Sequence, residues 1–208
     1  MGLFSGFLSW LANVFHRRRK FSLGFYGQVN AGKTSLANRI SLDWLGEEVG
    51  KVSEIPHETR VVTKKEHVIV KAGGRTLEMN LLDMPGIATK VDYKDFVKFG
   101  IRKDDAQKRA KEATKGIIEA IKWLEHVDVA LVIMDSLEDP LTQVNITILG
   151  NLEARKIPII IVANKTDNRK ARPDRIMEAF PQYPVVAVFA LTGENIDKLY
   201  ETIAKCAG

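Results

Sequence analysis

The stretch that most constrains this chain is Gly27-Gln28-Val29-Asn30-Ala31-Gly32-Lys33-Thr34, which satisfies every fixed position of the phosphate-loop pattern Gly-x-x-x-x-Gly-Lys-[Ser/Thr]. Its flanks are of the right kind. Phe21 to Tyr26 is an apolar strand, and Ser35 to Ile40 opens a helical pattern. A strand, a glycine loop and a helix in that order aim successive backbone N–H groups at phosphate oxygens from the positive end of the helix. Lys33 adds a point charge for the outer phosphates, and Thr34 a neutral hydroxyl suited to Mg²⁺, a hard cation that prefers oxygen. The alternative, a glycine-rich turn that matches by accident, leaves both flanking elements unexplained.

Length and charge narrow the field. At 208 residues the chain has room for one α/β domain with a full core, here expected over residues 21–208, and an N-terminal appendage over 1–20. The formal charge is +5, and Arg17, Arg18, Arg19 and Lys20 account for most of it. Basic charge spread along a face of the fold is therefore not expected, and no clear nucleic-acid site emerges. Cys206 stands alone and has no disulfide partner within the chain; with no secretory signal, a reducing cytoplasmic setting is expected. No run reaches the roughly 18 apolar residues of a spanning helix.

The appendage is itself patterned. At 100° per residue, Leu3, Phe4, Phe7, Leu8, Trp10, Leu11, Val14 and Phe15 fall within an arc of about 160°, while Gly2, Ser5, Gly6, Ser9 and Asn13 fill the other side. His16 and the basic cluster close the segment. One reading is an interfacial helix that holds the protein peripherally on a membrane, with the basic end beside anionic headgroups. The other is a helix packed on the domain's own core or on a partner.

Beyond the first helix, which ends near Trp44, residues 45–61 show no period and read as a loop. Strands are expected at His67–Lys71 and Thr76–Leu82, joined across Gly73-Gly74 in a tight turn. The second strand runs into Asp83-Met84-Pro85-Gly86, so a carboxylate lies at a strand's carboxyl end, where α/β sheets bind ligands. Residues 87–126 are heavily charged, become helical by about Asp104, and show an apolar stripe only towards Ile117, Ile118, Ile121 and Leu124. Their mixed charges read as a solvated face, with a partner-binding surface as the alternative. Strands at 127–134, 157–163 and 185–189 alternate with helices at 141–153 and 194–205, which predicts an α/β fold: a doubly wound, mostly parallel, six-stranded sheet in three layers.

The spaced motifs then carry a family resemblance. The phosphate loop, Pro56-His57-Glu58-Thr59-Arg60, Asp83-Met84-Pro85-Gly86, Asn164-Lys165-Thr166-Asp167 and Ala190-Leu191 follow one another as the five motifs of a GTPase G domain do. The chain resembles the Era-like branch of the translation-factor-related class. Two positions depart from the pattern: Glu58 stands where the family has a first threonine, and Phe189 where it has a serine before Ala190. The resemblance implies a P-loop G domain that binds GTP and GDP and works as a switch.

It also assigns residues. Gly27, Asn30, Ala31, Gly32, Lys33, Thr34 and Ser35 would take the phosphates; Asn164, Lys165, Asp167, Ala190 and Leu191 the base; Thr34 and Thr59 would ligate Mg²⁺ directly, with Asp83 holding one of its waters. Lys33, Thr59 and the Gly86 amide are the expected catalytic and sensing groups. An ionised Asp167 accepts from both the N1–H and the exocyclic amine of guanine, a donor pair that adenine lacks. Ile87 occupies the place of a water-positioning glutamine and has no side chain that could replace it, so hydrolysis is expected to be slow. Some members of the branch compensate with K⁺ held partly by an asparagine at the position of Asn30. The residues given hold neither an RNA-binding KH domain nor a second G domain. In layout the amphipathic helix plus minimal G domain is closer to Arf and Sar membrane GTPases, an analogy of architecture only. The readings are a membrane-associating GTPase switch with an unknown effector or activating protein, an Era-like GTPase in RNA or ribosome assembly, and a scaffold that binds GTP without turning it over.

Overall fold

The computed structural model describes residues 20–45, 62–72, 75–87, 93–98 and 100–207. The N-terminal segment 1–19, the Pro56–Arg60 motif with His57 and Thr59, and the Gly73-Gly74 turn lie outside the described residues.

Among the described residues six strands, β1 (Lys20–Gly27), β2 (Thr63–Ala72), β3 (Arg75–Asp83), β4 (Val129–Asp135), β5 (Ile159–Asn164) and β6 (Val185–Ala187), form one sheet in the order β2-β3-β1-β4-β5-β6. Strand β1 (Lys20–Gly27) lies between β3 (Arg75–Asp83) and β4 (Val129–Asp135) and is parallel to both. β5 (Ile159–Asn164) and β6 (Val185–Ala187) continue the parallel side. Among the described strands only β2 (Thr63–Ala72) runs antiparallel, against β3. Successive strand residues face opposite layers, so β4 sends Leu131 and Ile133 into one core and Val132 and Met134 into the other. The first core is covered by α1 (Lys33–Leu45) and α6 (Ile196–Ala207) through Leu36, Ile40, Leu199 and Ile203. α4 (Gln143–Ala154) and α5 (Pro173–Ala179) cover the second through Ile148, Leu152 and Ile176. This is the expected three-layer α/β architecture. β1 leads to β3 on one side and β4 on the other, so the crevice between the carboxyl ends of these strands falls at the phosphate loop.

Several boundaries differ from expectation for local reasons. β1 begins at Lys20, paired with Glu78, one residue before the expected domain start. β2 begins at Thr63, because an edge strand gains its hydrogen bonds from β3 whatever its side chains, and its charged start hides it from a hydrophobicity reading. Two short helices were not expected: α2 (Tyr93–Lys98) and α5. Proline in the first turn starts α5, and seven residues are too few to show a period. α3 (Lys103–Lys122) does not present the anticipated apolar stripe intact. Ile118 is 53% exposed, and among the described side chains of the helix the buried ones are Ala106 and Ala120, small enough to let the helix lie close to its neighbours. Its charges at Lys103, Asp104, Asp105, Lys108 and Lys111, and Arg102 just before it, are exposed.

Candidate functional site

Two glycines allow the phosphate loop its course. Gly27 has φ +150°, and a Cβ there would stand 2.2 Å from the Ile133 carbonyl oxygen of the neighbouring strand. Gly32 has φ +98°, and a Cβ would stand 2.1 Å from Asn164 Nδ2. Both are therefore closed to any other residue, by close approach as well as by backbone conformation. Asn30, at φ +61°, bends the loop between them and is exposed.

Lys33 opens α1 and is buried, with Nζ donating to the Gln28 carbonyl 2.7 Å away inside its own loop. Burial lowers its pKa to about 8, with the Asp83 carboxylate opposing. Thr34 Oγ1 donates to Asp83 Oδ2 at 2.7 Å. Asp83 is fully buried at the end of β3, and its Oδ1 has no hydrogen-bond partner among the described residues. Burial raises its pKa; the Thr34 hydroxyl and Lys33 pull the other way. A buried carboxylate oxygen left unbonded among the described residues, beside a threonine hydroxyl, is an all-oxygen donor set that fits Mg²⁺ or a water bound to it. The strand's pairing runs on past Asp83: Met84 N donates to Phe25 O and Ile87 N to Gly27 O, bringing Gly86 against Val29. Ile87 is half-buried and packs on the second core.

The third group of residues is tied together by one side chain. Asn164, buried at the end of β5, donates from Nδ2 to Ala31 O at 2.9 Å and accepts at Oδ1 from Ala190 N at 3.1 Å. It thus joins the phosphate loop, its own loop and the loop of Ala190 and Leu191. Lys165 follows at φ +65° and donates from Nζ to Asp135 Oδ2 at 2.6 Å. Asp167 and Leu191 are exposed above this scaffold, and Ser35 is half-buried in the first turn of α1.

Residues 22–165 match the model of the family described as 50S ribosome-binding GTPase. The chain belongs to that family. The chain is similar to the tRNA modification GTPase MnmE of Natranaerobius thermophilus, 33% identical over 180 residues that make up 86% of this chain and 33% of that one. It is also similar to the GTPase Der of Campylobacter concisus, 26% identical over 197 residues, 91% of this chain and 37% of that one. The chain thus spans about a third of the length of the curated relatives it matches. Among solved structures, Aquifex aeolicus Era bound to GDP and AlF4⁻ aligns with a TM-score of 0.68 at 24% identity, covering 90% of this chain and 57% of that one. Era in complex with MgGDPNP and a segment of 16S ribosomal RNA aligns equally well at 23% identity, with the same coverage. These structures share the fold.

The fold places the expected residues as follows. The phosphate-loop residues, Asp83, Gly86, Asn164 and Ala190 converge at the carboxyl ends of β1, β3 and β5. Thr59 lies outside the described residues. Four polar residues at this end of the sheet had not been singled out. Gln28 Nε2 donates to Thr142 Oγ1 at 2.7 Å, linking the phosphate loop to the residue that caps α4. Asp135 holds Lys165, and the Ser136 amide donates to the Asn164 carbonyl at 3.0 Å. The signal that picked out Asp83, a carboxylate at a strand's carboxyl end, applied equally to Asp135.

Proposed function

We propose that this domain binds GTP and GDP, hydrolyses GTP slowly, and acts as a switch. The observation that carries this reading is Asn164, which holds the phosphate loop and the Ala190 loop in fixed relation so that one ligand with phosphates at one end and a base at the other can span them. Lys33 would neutralise the outer phosphates, Thr34 and Thr59 would ligate Mg²⁺, and Asp83 would hold one of its waters. The ion supplies positive charge where the transferring phosphoryl group develops negative charge. Asp167 would read guanine. Calorimetry tests this: GDP should bind at least about a hundredfold more tightly than ADP, and Asp167→Asn should move the preference towards xanthine nucleotides. Equal affinity for ADP would overturn it.

Slow turnover follows from Ile87, whose side chain neither donates nor accepts and packs against the core. A K⁺ ion at Asn30 would supply the missing charge. Phosphate release should then be faster in potassium than in sodium at equal ionic strength, and Asn30→Ala should remove the difference.

Two settings for the switch are open. Membership in a family of ribosome-binding GTPases, with a fold neighbour solved on 16S ribosomal RNA, supports a role on the ribosome or another RNA. The segregated apolar face of residues 3–15 supports peripheral membrane contact, and that support is from sequence alone. Co-sedimentation with ribosomal subunits and with anionic vesicles, with and without residues 1–20, distinguishes them. Binding to vesicles only, lost with Phe7→Glu, would favour the membrane.

A further inference from the structure

Asp135 is the last residue of β4 and sits directly across the sheet from Asn164. Both of its carboxylate oxygens are engaged, Oδ1 by the Leu137 amide at 3.0 Å and Oδ2 by Lys165 Nζ at 2.6 Å. The backbone of the next residue is fixed as well. Ser136 N donates to Asn164 O, and Ser136 O accepts from Arg172 N at 2.8 Å. Lys165 is therefore held at both ends, by a left-handed backbone at φ +65° and by a carboxylate at its ammonium. A free lysine stem samples many rotamers, and one pinned at both ends presents its four methylenes in one course.

We propose that Asp135 is a positioning residue for nucleotide binding: it holds the Lys165 stem extended as a preformed apolar platform on which the flat face of a purine base rests. This rests on the reading of the site as a guanine-nucleotide site. Asp135 touches no ligand. Its carboxylate sets the lysine's conformation before the nucleotide arrives, so the ordering cost is met in folding and not in binding. The contact is with the face of the ring, common to purines, and leaves discrimination at the ring edge to Asp167. A bare surface ion pair is the competing account, since Lys165 remains 35% exposed; such a pair would affect fold stability slightly and nucleotide affinity not at all.

The test is a double-mutant cycle read by GDP and inosine diphosphate affinity, with the melting temperature of each ligand-free protein as control. In the wild-type background Asp135→Asn should weaken both nucleotides by about tenfold and by the same factor, leaving their ratio unchanged. In the Lys165→Met background, where the stem remains but there is no ammonium to hold, Asp135→Asn should cost nothing further. Wild-type affinity in Asp135→Asn, or equal losses in the two backgrounds, would overturn the proposal. A changed GDP to inosine diphosphate ratio would overturn it too, because it would place Asp135 in edge recognition. If the wild-type protein itself bound no GDP, the fault would lie with the reading of the site.

Discussion

The loop around Asn164 and the loop around Lys33 face each other across the same crevice, and they satisfy their polar groups in opposite ways. Asn164 donates to Ala31 and accepts from Ala190, Asp135 is saturated, and each of these partners is a fixed part of the fold. Across the crevice Lys33 donates into its own loop, Thr34 occupies one oxygen of Asp83, and the other oxygen is buried with no partner among the described residues. The first loop is complete without a ligand. The second contains a buried ammonium and a buried carboxylate whose pKa values burial drives in the unfavourable direction, so its charges cost folding energy that a bound phosphate and metal would offset. The difference teaches that affinity and stability should be separable at Lys33 and inseparable at Asn164.

The largest expected effect breaks the Lys33 side alone. Lys33→Met keeps most of the stem and removes the charge, so GDP affinity should fall by a hundredfold or more, about 3 kcal/mol, through loss of charge-assisted bonds to phosphate. The ligand-free protein should melt no lower than wild type, because a desolvated ammonium has been removed. A large loss of thermal stability would mean that the Gln28 contact matters more to the fold than the burial penalty. On the other side, Asn164→Asp removes the Nδ2 donor, strands Ala31 O and buries a carboxylate. It should cost about 2–4 kcal/mol of stability, read by urea unfolding, with GDP affinity falling as well.

The pH dependence sharpens the same contrast. The pKa of Lys33 in the free fold, about 8, lies below its unfolded value near 10.5, so below pH 8 the group is charged in both states and the burial penalty is borne in full. The unfolded chain binds more protons between these values, so this group adds stability as pH rises from about 8 to about 10.5. Nucleotide affinity runs the other way. Phosphates favour the protonated lysine, so GDP binding should be level below pH 8 and weaken by up to about tenfold per unit above it, with proton uptake visible as a buffer-dependent enthalpy. Lys33→Met should flatten both profiles, and a steep slope that survives in this variant would assign them to another group.

What could be read from the sequence follows this division. Gly27, Gly32, Lys33 and Thr34 are legible because backbone conformation and phosphate chemistry admit few residue types at fixed spacing. The buried parallel strands are legible because a strand covered on both faces reads as a continuous apolar run, as in Val129 to Met134. Ser136 and Thr142 were not, because their roles arise from contacts between residues far apart in sequence, and for Asp135 the sequence offered the place at a strand's end but not the Lys165 partner. The charged start of β2 and the seven-residue α5 escaped because neither has a hydrophobic period to show.

The smallest expected effect lies where the two sides are joined at a distance. Thr142 Oγ1 accepts from Gln28 Nε2 and, at 3.3 Å, from the Asn145 amide in the first turn of α4. Thr142→Val keeps the shape and removes the acceptor. The lost cap should cost about 1 kcal/mol, and the Gln28 amide, half-buried, can turn to water and add little. A melting temperature lower by about 2–4 °C is expected for a domain of this size. GDP affinity should stay within about twofold, because the phosphate loop is shaped by its glycines and by Asn164 and not by α4. A tenfold loss of affinity at unchanged stability would show that the loop depends on the α4 cap, and the division between a complete side and a ligand-dependent side would have to be redrawn around Gln28.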